Sequence, residues 1–340
     1  MEVTRRATFV AGAVILVAAC SALQGPTATA VPPKPGAIIA TVPIARGPTL
    51  LAIAPDGSVV YAASVGTVTA IRTETNTVEA SAGGDPYPTG IAVTPDGRHI
   101  LMVAAQSSSA TVLRAPDLTT ASTIALPQPG LYPGGYSRLR VAADGRTAWV
   151  VNEALYLAVV DLVAETSSRL TLDMRPSDVA VSRDGRTAYV LGCKAYCTTG
   201  TIEMIDVAPD TVLATVDVGP GPSTFVVSAD GRLGYSTNRG GPSLSVVDLP
   251  GRSVRATLPV GVAPTGLAVA PDGARVYVTS ERTGALTVAS GDGRAVLATV
   301  QLPGLARDVV VSPDGRRVYV STSAPNAVVV LDAARLTSSH

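Results

Sequence analysis

Ser312-Pro313-Asp314-Gly315-Arg316-Arg317-Val318-Tyr319-Val320-Ser321 has a near copy in Ala270-Pro271-Asp272-Gly273-Ala274-Arg275-Val276-Tyr277-Val278-Thr279. In both, Asp-Gly stands between two apolar runs. Such a dipeptide is a strong hairpin signal, because Gly accepts a positive φ without steric cost. Working outward, Asp-Gly recurs at Asp56, Asp96, Asp144, Asp184, Asp230, Asp272 and Asp314, at intervals of 40, 48, 40, 46, 42 and 42 residues. Five places after each Asp stands Tyr61, Leu101, Trp149, Tyr189, Tyr235, Tyr277 or Tyr319.

A third run such as Ser243 to Asp248 and a fourth such as Val254 to Val260 complete each unit. Four strands in about 42 residues match one blade of a propeller, whose two faces are buried only by packing against other blades. The expected fold is therefore all-β: a seven-bladed β-propeller of four-stranded antiparallel blades. The repeat resembles that of YVTN-type propellers over residues 38–336. The fourth motif letter is Asn only at Asn152 and Asn238, and has drifted to Ser64, Ala104, Gly192, Ser280 and Thr322 elsewhere. The resemblance implies a fold more than an activity.

The termini predict how the ring closes. Blade seven has three strands, at 307–312, 318–321 and 327–331, and then too little chain for a fourth. Ala37 to Ile44 reads as a strand with no blade before it. That strand is expected to complete the last blade and remove an open sheet edge.

In each first strand two positions are large in every repeat, as in Leu51/Ile53 and Phe225/Val227, while the alternate places are often small, as in Gly90 and Gly266. Small residues let blades approach closely near the axis. Arg138, Arg140, Asp178 and Asp308 break that pattern and are expected to face the central channel.

Residues 1–19 read as a signal peptide, with Arg5-Arg6 before an apolar run too short to span a bilayer. Val17-Ala18-Ala19-Cys20 resembles a bacterial lipobox, which implies lipidation of Cys20. Cleavage after Ala28-Thr29-Ala30 is the rival. Residues 20–36 read as a Pro/Ala/Thr-rich tether, 37–336 as the propeller and 337–340 as a tail. The protein is expected to be exported to the bacterial cell envelope, touching the membrane through the lipid only. Lys+Arg 26 and Asp+Glu 26 cancel without a basic run, which argues against nucleic acid as a partner.

Three cysteines leave Cys20 single if Cys193 and Cys197 pair, as export favours. Closing so short a loop contributes about 2 kcal/mol on the chain-entropy model. With His only at His99 and His340, no metal site or cofactor is expected. The repeated Asp residues read as turn formers rather than calcium ligands. The ring of Thr49, Thr89, Ser137, Ser177, Ser223 and Thr265 reads as backbone capping, interrupted by Arg307.

Repeat length locates the decorated face. Blade two carries an insertion at 127–132 and blade four one around Cys193 and Cys197. Both fall on the face opposite the Asp-Gly hairpins, where loops tolerate recognition elements. The candidate binding residues at that mouth are Asp85, Tyr87, Tyr132, Arg138, Asn152, Glu153, Asp178, Arg239, Glu281, Arg282, Arg307 and Asp308. Mixed charge with Tyr suits a polar ligand or a protein partner. No catalytic constellation emerges, so the expectation is a non-catalytic binding module. Two alternatives stay open. One is a lactonase-like hydrolase using Glu153 or Glu281 as base with Arg138 or Arg239. The other is a partner chain of an exported oxidoreductase.

Overall fold

The computed structural model describes residues 30–127, 136–194, 197–208 and 210–337. The signal peptide, Cys20, Tyr132 and nearly all of the blade-two insertion lie outside the described residues. Seven antiparallel four-stranded sheets form a ring. Blades one to six span residues 48–83, 88–125, 136–171, 175–218, 222–259 and 264–301. The seventh combines Leu305–Val311, Arg317–Ser323 and Ala327–Asp332 with the N-terminal strand Ile38–Pro43. Ile38 pairs with Leu331 and Pro43 with Ala327, so the two ends of the ring are joined in one sheet.

All seven Asp-Gly dipeptides make the same turn. The Asp carboxylate accepts the N–H two residues on, at 2.9 Å in Asp56, 2.8 Å in Asp144 and 3.0 Å in Asp314. The following glycines all sit at positive φ, from +68° to +74°. Thr94, Ser182, Ser228 and Ser312 add a hydroxyl to the same carboxylates. The acidic residues form turns, as their isolation in sequence implies.

The core is divided into seven hydrophobic clusters, each lying between two neighbouring blades. Second strands supply its centre; Val59–Ser64 is buried at every residue. The close approach near the axis is enforced at Gly90, where a Cβ would lie 2.8 Å from the Leu139 Cβ of the next blade. At Gly266 it would lie 2.8 Å from the Arg307 carbonyl.

Polar latches reinforce these interfaces. The Tyr235 hydroxyl donates to the Gly291 carbonyl of the next blade at 2.7 Å. At the two equivalent carbonyls the donor is an arginine two residues before the tyrosine: Arg275 to Ala333 at 3.0 Å and Arg317 to Thr73. The hydroxyls of Tyr277 and Tyr319 are then buried with no acceptor. Leu233 occupies the arginine's place in blade five, which leaves the carbonyl to Tyr235.

Residues 30–36 run against the ring rather than away from it. The Val31 N–H donates to the Thr299 carbonyl at 2.9 Å, and the Gln301 N–H donates to the Val31 carbonyl at 2.7 Å. The outer strand of blade six offers unpaired backbone groups there, as any sheet edge does.

Candidate functional site

Each inner strand begins on the face opposite the hairpins, and each has a register shift within its first few residues. The shift separates Pro48 from Leu50 in blade one and Tyr136 from Arg138 in blade three, with counterparts in every other blade. A bulge re-aims side chains and leaves the ladder incomplete. Here the serine or threonine at the bulge and the residue after it both reach the channel end: Ser137 and Arg138 both line the mouth.

Two cavities meet there. A channel of about 310 Å³ follows the axis, lined by Leu51, Ile53, Val269 and Val311 with Arg138, Arg140 and Asp308. A wider mouth of about 650 Å³ opens above it, lined by Thr89, Ser137, Ser177 and Ser223 with Arg138, Glu153, Arg175 and Arg239. Arg138, Leu50 and Thr89 border both. Cys193 and Cys197 also line the mouth, bonded as a disulfide with Cα atoms 5.0 Å apart. The described part of the blade-four insertion therefore forms the wall of this cavity.

The expected channel residues divide by role. Asp178 is fully buried: it accepts Arg140 Nη2 at 2.7 Å and the Phe225 N–H of the next blade at 3.0 Å. Asp308, half-buried and without an arginine bond, links blades seven and one through backbone alone, accepting the Leu51 N–H at 2.9 Å and the Val309 N–H at 2.9 Å. Both carboxylates are inter-blade latches. Desolvation in the channel pushes the Asp308 carboxyl up, while the nearby Arg138 guanidinium and the two N–H bonds pull it back. Asn152 is also buried, and its carboxamide oxygen accepts the Ala154 N–H at 2.8 Å within the turn.

The remaining charges staple the rim. Glu153 meets Arg175 at 2.6 Å, while Glu281 meets Arg239 at 3.0 Å and Arg307 at 2.8 Å. Each pair crosses from one blade to the next. Exposed pairs of this kind contribute about 0–1 kcal/mol each, so they orient the rim more than they hold the ring. Arg282 is exposed beside Glu281. Tyr87 is exposed at 56%, and Asp85 contributes its backbone carbonyl to the Gly66 N–H. These three residues do not line the mouth.

The hydroxyl ring is mixed. Thr265 donates to the Arg307 carbonyl at 2.9 Å, and Thr49 reaches the Ala63 carbonyl at 3.4 Å. Ser137, by contrast, is a buried hydroxyl with no hydrogen-bond partner. Sequence reasoning missed Arg175 as well. Its signal was its place before Pro176, where the other blades carry Gly, Tyr, Ala or Leu. Among the described residues no group of three His, Cys, Asp or Glu is placed to hold a metal ion.

No family model matches this chain, and no curated protein does. Solved structures do. A chain of Kuenenia stuttgartiensis hydrazine synthase matches with a TM-score of 0.75 at 21% identity, over 84% of this chain and 95% of that one. The β-propeller domain of Myceliophteria thermophila Cps50 (Swd1) matches with a TM-score of 0.75 at 11% identity, over 87% and 98%. One neighbour is an enzyme by name and the other is not. At these identities the likeness establishes the seven-bladed fold alone.

Proposed function

We propose that this chain is an exported, lipid-anchored propeller of the YVTN-repeat kind that acts as a non-catalytic binding module at the bacterial cell envelope. Its recognition surface is the mouth on the insertion-bearing face. The observation that carries the reading is the pairing state of Glu153 at the mouth and Glu281 on its rim. A hydrolase would need one of them free to take a proton from water. Glu153 and Glu281 instead sit in ion pairs with Arg175, Arg239 and Arg307. A concave mouth of several hundred Å³ with converging polar groups is the form a ligand site takes.

The test is comparative. Capture from the envelope fraction is measured with the wild-type protein and with Arg175→Glu/Arg239→Glu, which inverts the rim. A component retained by the first and lost by the second supports the reading; identical capture overturns the choice of face. Lactone hydrolysis by the purified protein that disappears in Glu153→Gln or Glu281→Gln would replace the binding reading with the hydrolase one. Metabolic labelling with an alkyne fatty acid, present in the wild type and absent in Cys20→Ala, tests the anchor.

A further inference from the structure

Resting on the mouth as the binding surface, we infer that the ligand is a small oxyanion, a carboxylate or a phosphate, held at the floor of the mouth by the Arg138 guanidinium with the Ser137 hydroxyl as a second donor. Arg138 stands where the mouth opens into the channel and borders both cavities. It makes one hydrogen bond, from Nη2 to the Thr224 hydroxyl across the ring at 3.1 Å. Among the described residues it forms no salt bridge, although the Asp308 carboxylate lies near enough to feel its charge. The other arginines lining the two cavities are matched: Arg140 by Asp178, Arg175 by Glu153, and Arg239 by Glu281, which Arg307 shares from outside them. Asp308, the remaining carboxylate in the channel, is engaged by the N–H groups of Leu51 and Val309.

The chemistry of this arrangement is specific in sign. A guanidinium carries five donors and no acceptor, and its fork fits carboxylate and phosphate oxygens two at a time. One bond to a neutral hydroxyl leaves most of that capacity unused at the floor of a partly apolar, open cavity. Beside it the buried Ser137 hydroxyl is also without a partner. A buried polar group left unpaired is costly, and at the wall of a cavity a ligand can complete it. Ser137 and Arg138 are adjacent residues at one bulge and both line the mouth, so an anion on the guanidinium is one rotamer change of Ser137 away from its hydroxyl. A cationic ligand would meet the Arg138 charge with only the Asp308 carboxylate near it to offset the repulsion. The mouth, at about 650 Å³, has room for a small organic acid.

The purified protein is titrated calorimetrically with citrate, inorganic phosphate and choline chloride, each also followed by the shift in melting temperature. Citrate, phosphate or both should bind and raise the Tm, and choline should do neither. Arg138→Lys keeps the charge but loses the fork and should weaken the anion about tenfold. Arg138→Met should abolish binding, and Ser137→Ala should weaken it about fivefold. Melting of the unliganded variants checks that they fold. If Arg138→Met does not fold, Arg138→Lys and Ser137→Ala carry the test. Anion binding that these variants leave unchanged overturns the inference, as does binding of neither citrate nor phosphate by the wild type. Envelope capture that is sensitive to rim inversion and persists after such a failure would leave the mouth as the recognition surface and remove only its anion chemistry.

Discussion

The two faces of the ring obey different rules. On the hairpin face all seven blades repeat one local solution: Asp accepting an N–H two residues on, then Gly at positive φ. On the mouth face the same strand position is Leu50, Gly90, Arg138, Asp178, Thr224, Gly266 or Asp308, and it serves several different roles. Gly90 and Gly266 admit the neighbouring blade, Asp178 and Asp308 bind its backbone, and Arg138 borders an open cavity. Where one turn geometry suffices, the repeats agree. Where side chains cross between blades or meet the mouth, they diverge. In a repeat protein, divergence confined to one face is the better guide to recognition.

The contrast is sharpest in a pair of aspartates. Asp178→Ala should cost about 3 kcal/mol, because it leaves Arg140 and a buried N–H unpaired. Thermal melting would show it as a Tm lower by roughly 5–10 °C. Asp272→Ala, on the hairpin face, removes one exposed hydrogen bond and should cost about 0.5–1 kcal/mol. Equal losses would break the distinction.

The inter-blade latch gives a second pair. Tyr235→Phe removes the bond to Gly291 and should cost about 1 kcal/mol in denaturant unfolding, whereas Tyr277→Phe removes a hydroxyl with no acceptor and should cost nothing or stabilise. Gly273→Ala meets no atom within 4 Å and suffers only from its φ of +69°. It should therefore cost about 1 kcal/mol, a purely local penalty.

The smallest effects depend on pH, and their signs oppose. Hydrogen bonds from the flanking hydroxyls and N–H groups hold the Asp96, Asp184, Asp230 and Asp314 carboxyls below the ordinary 3.8. Their stabilisation is present above that value and is lost as the pH falls through the lower folded one. Glu203, buried in blade four, behaves the other way. Burial pushes its carboxyl above the ordinary 4.5, with Lys194 pulling down and Asp173 adding to the rise. Its penalty is absent below 4.5 and sets in as the pH rises through the folded value. Melting curves should show Glu203→Gln as the more stable protein near neutrality, and the advantage should vanish toward pH 4. An advantage that persists in acid would show that the carboxylate charge is not its source.

Much of this architecture is local and therefore legible. Asp-Gly with a large apolar residue five places on, aromatic in every blade but the second, marks each first hairpin, and the leftover strand at 37–44 foretells the closure by Ile38–Pro43. The candidate site was legible only in part. Arg138, Glu153 and Arg239 do border the mouth. Asn152 and Asp178 are instead absorbed into backbone support, Ser137 was expected to cap backbone but has no hydrogen-bond partner, and Arg175 was not singled out. The cause is the bulge at the start of each inner strand. A shift of one residue changes which neighbours face the channel, and strand alternation by itself misassigns them.

The order of residues alone determined the number of blades, the hairpin chemistry and the face that carries the insertions, because each depends on contacts within about forty residues or on a count of them. The tertiary structure decided which charges cancel. Arg140 finds Asp178 and Arg175 finds Glu153 across blade boundaries, while Arg138 is left with Thr224. Ion pairing falls off over a few ångströms, and only the closed ring sets distances of that size between blades.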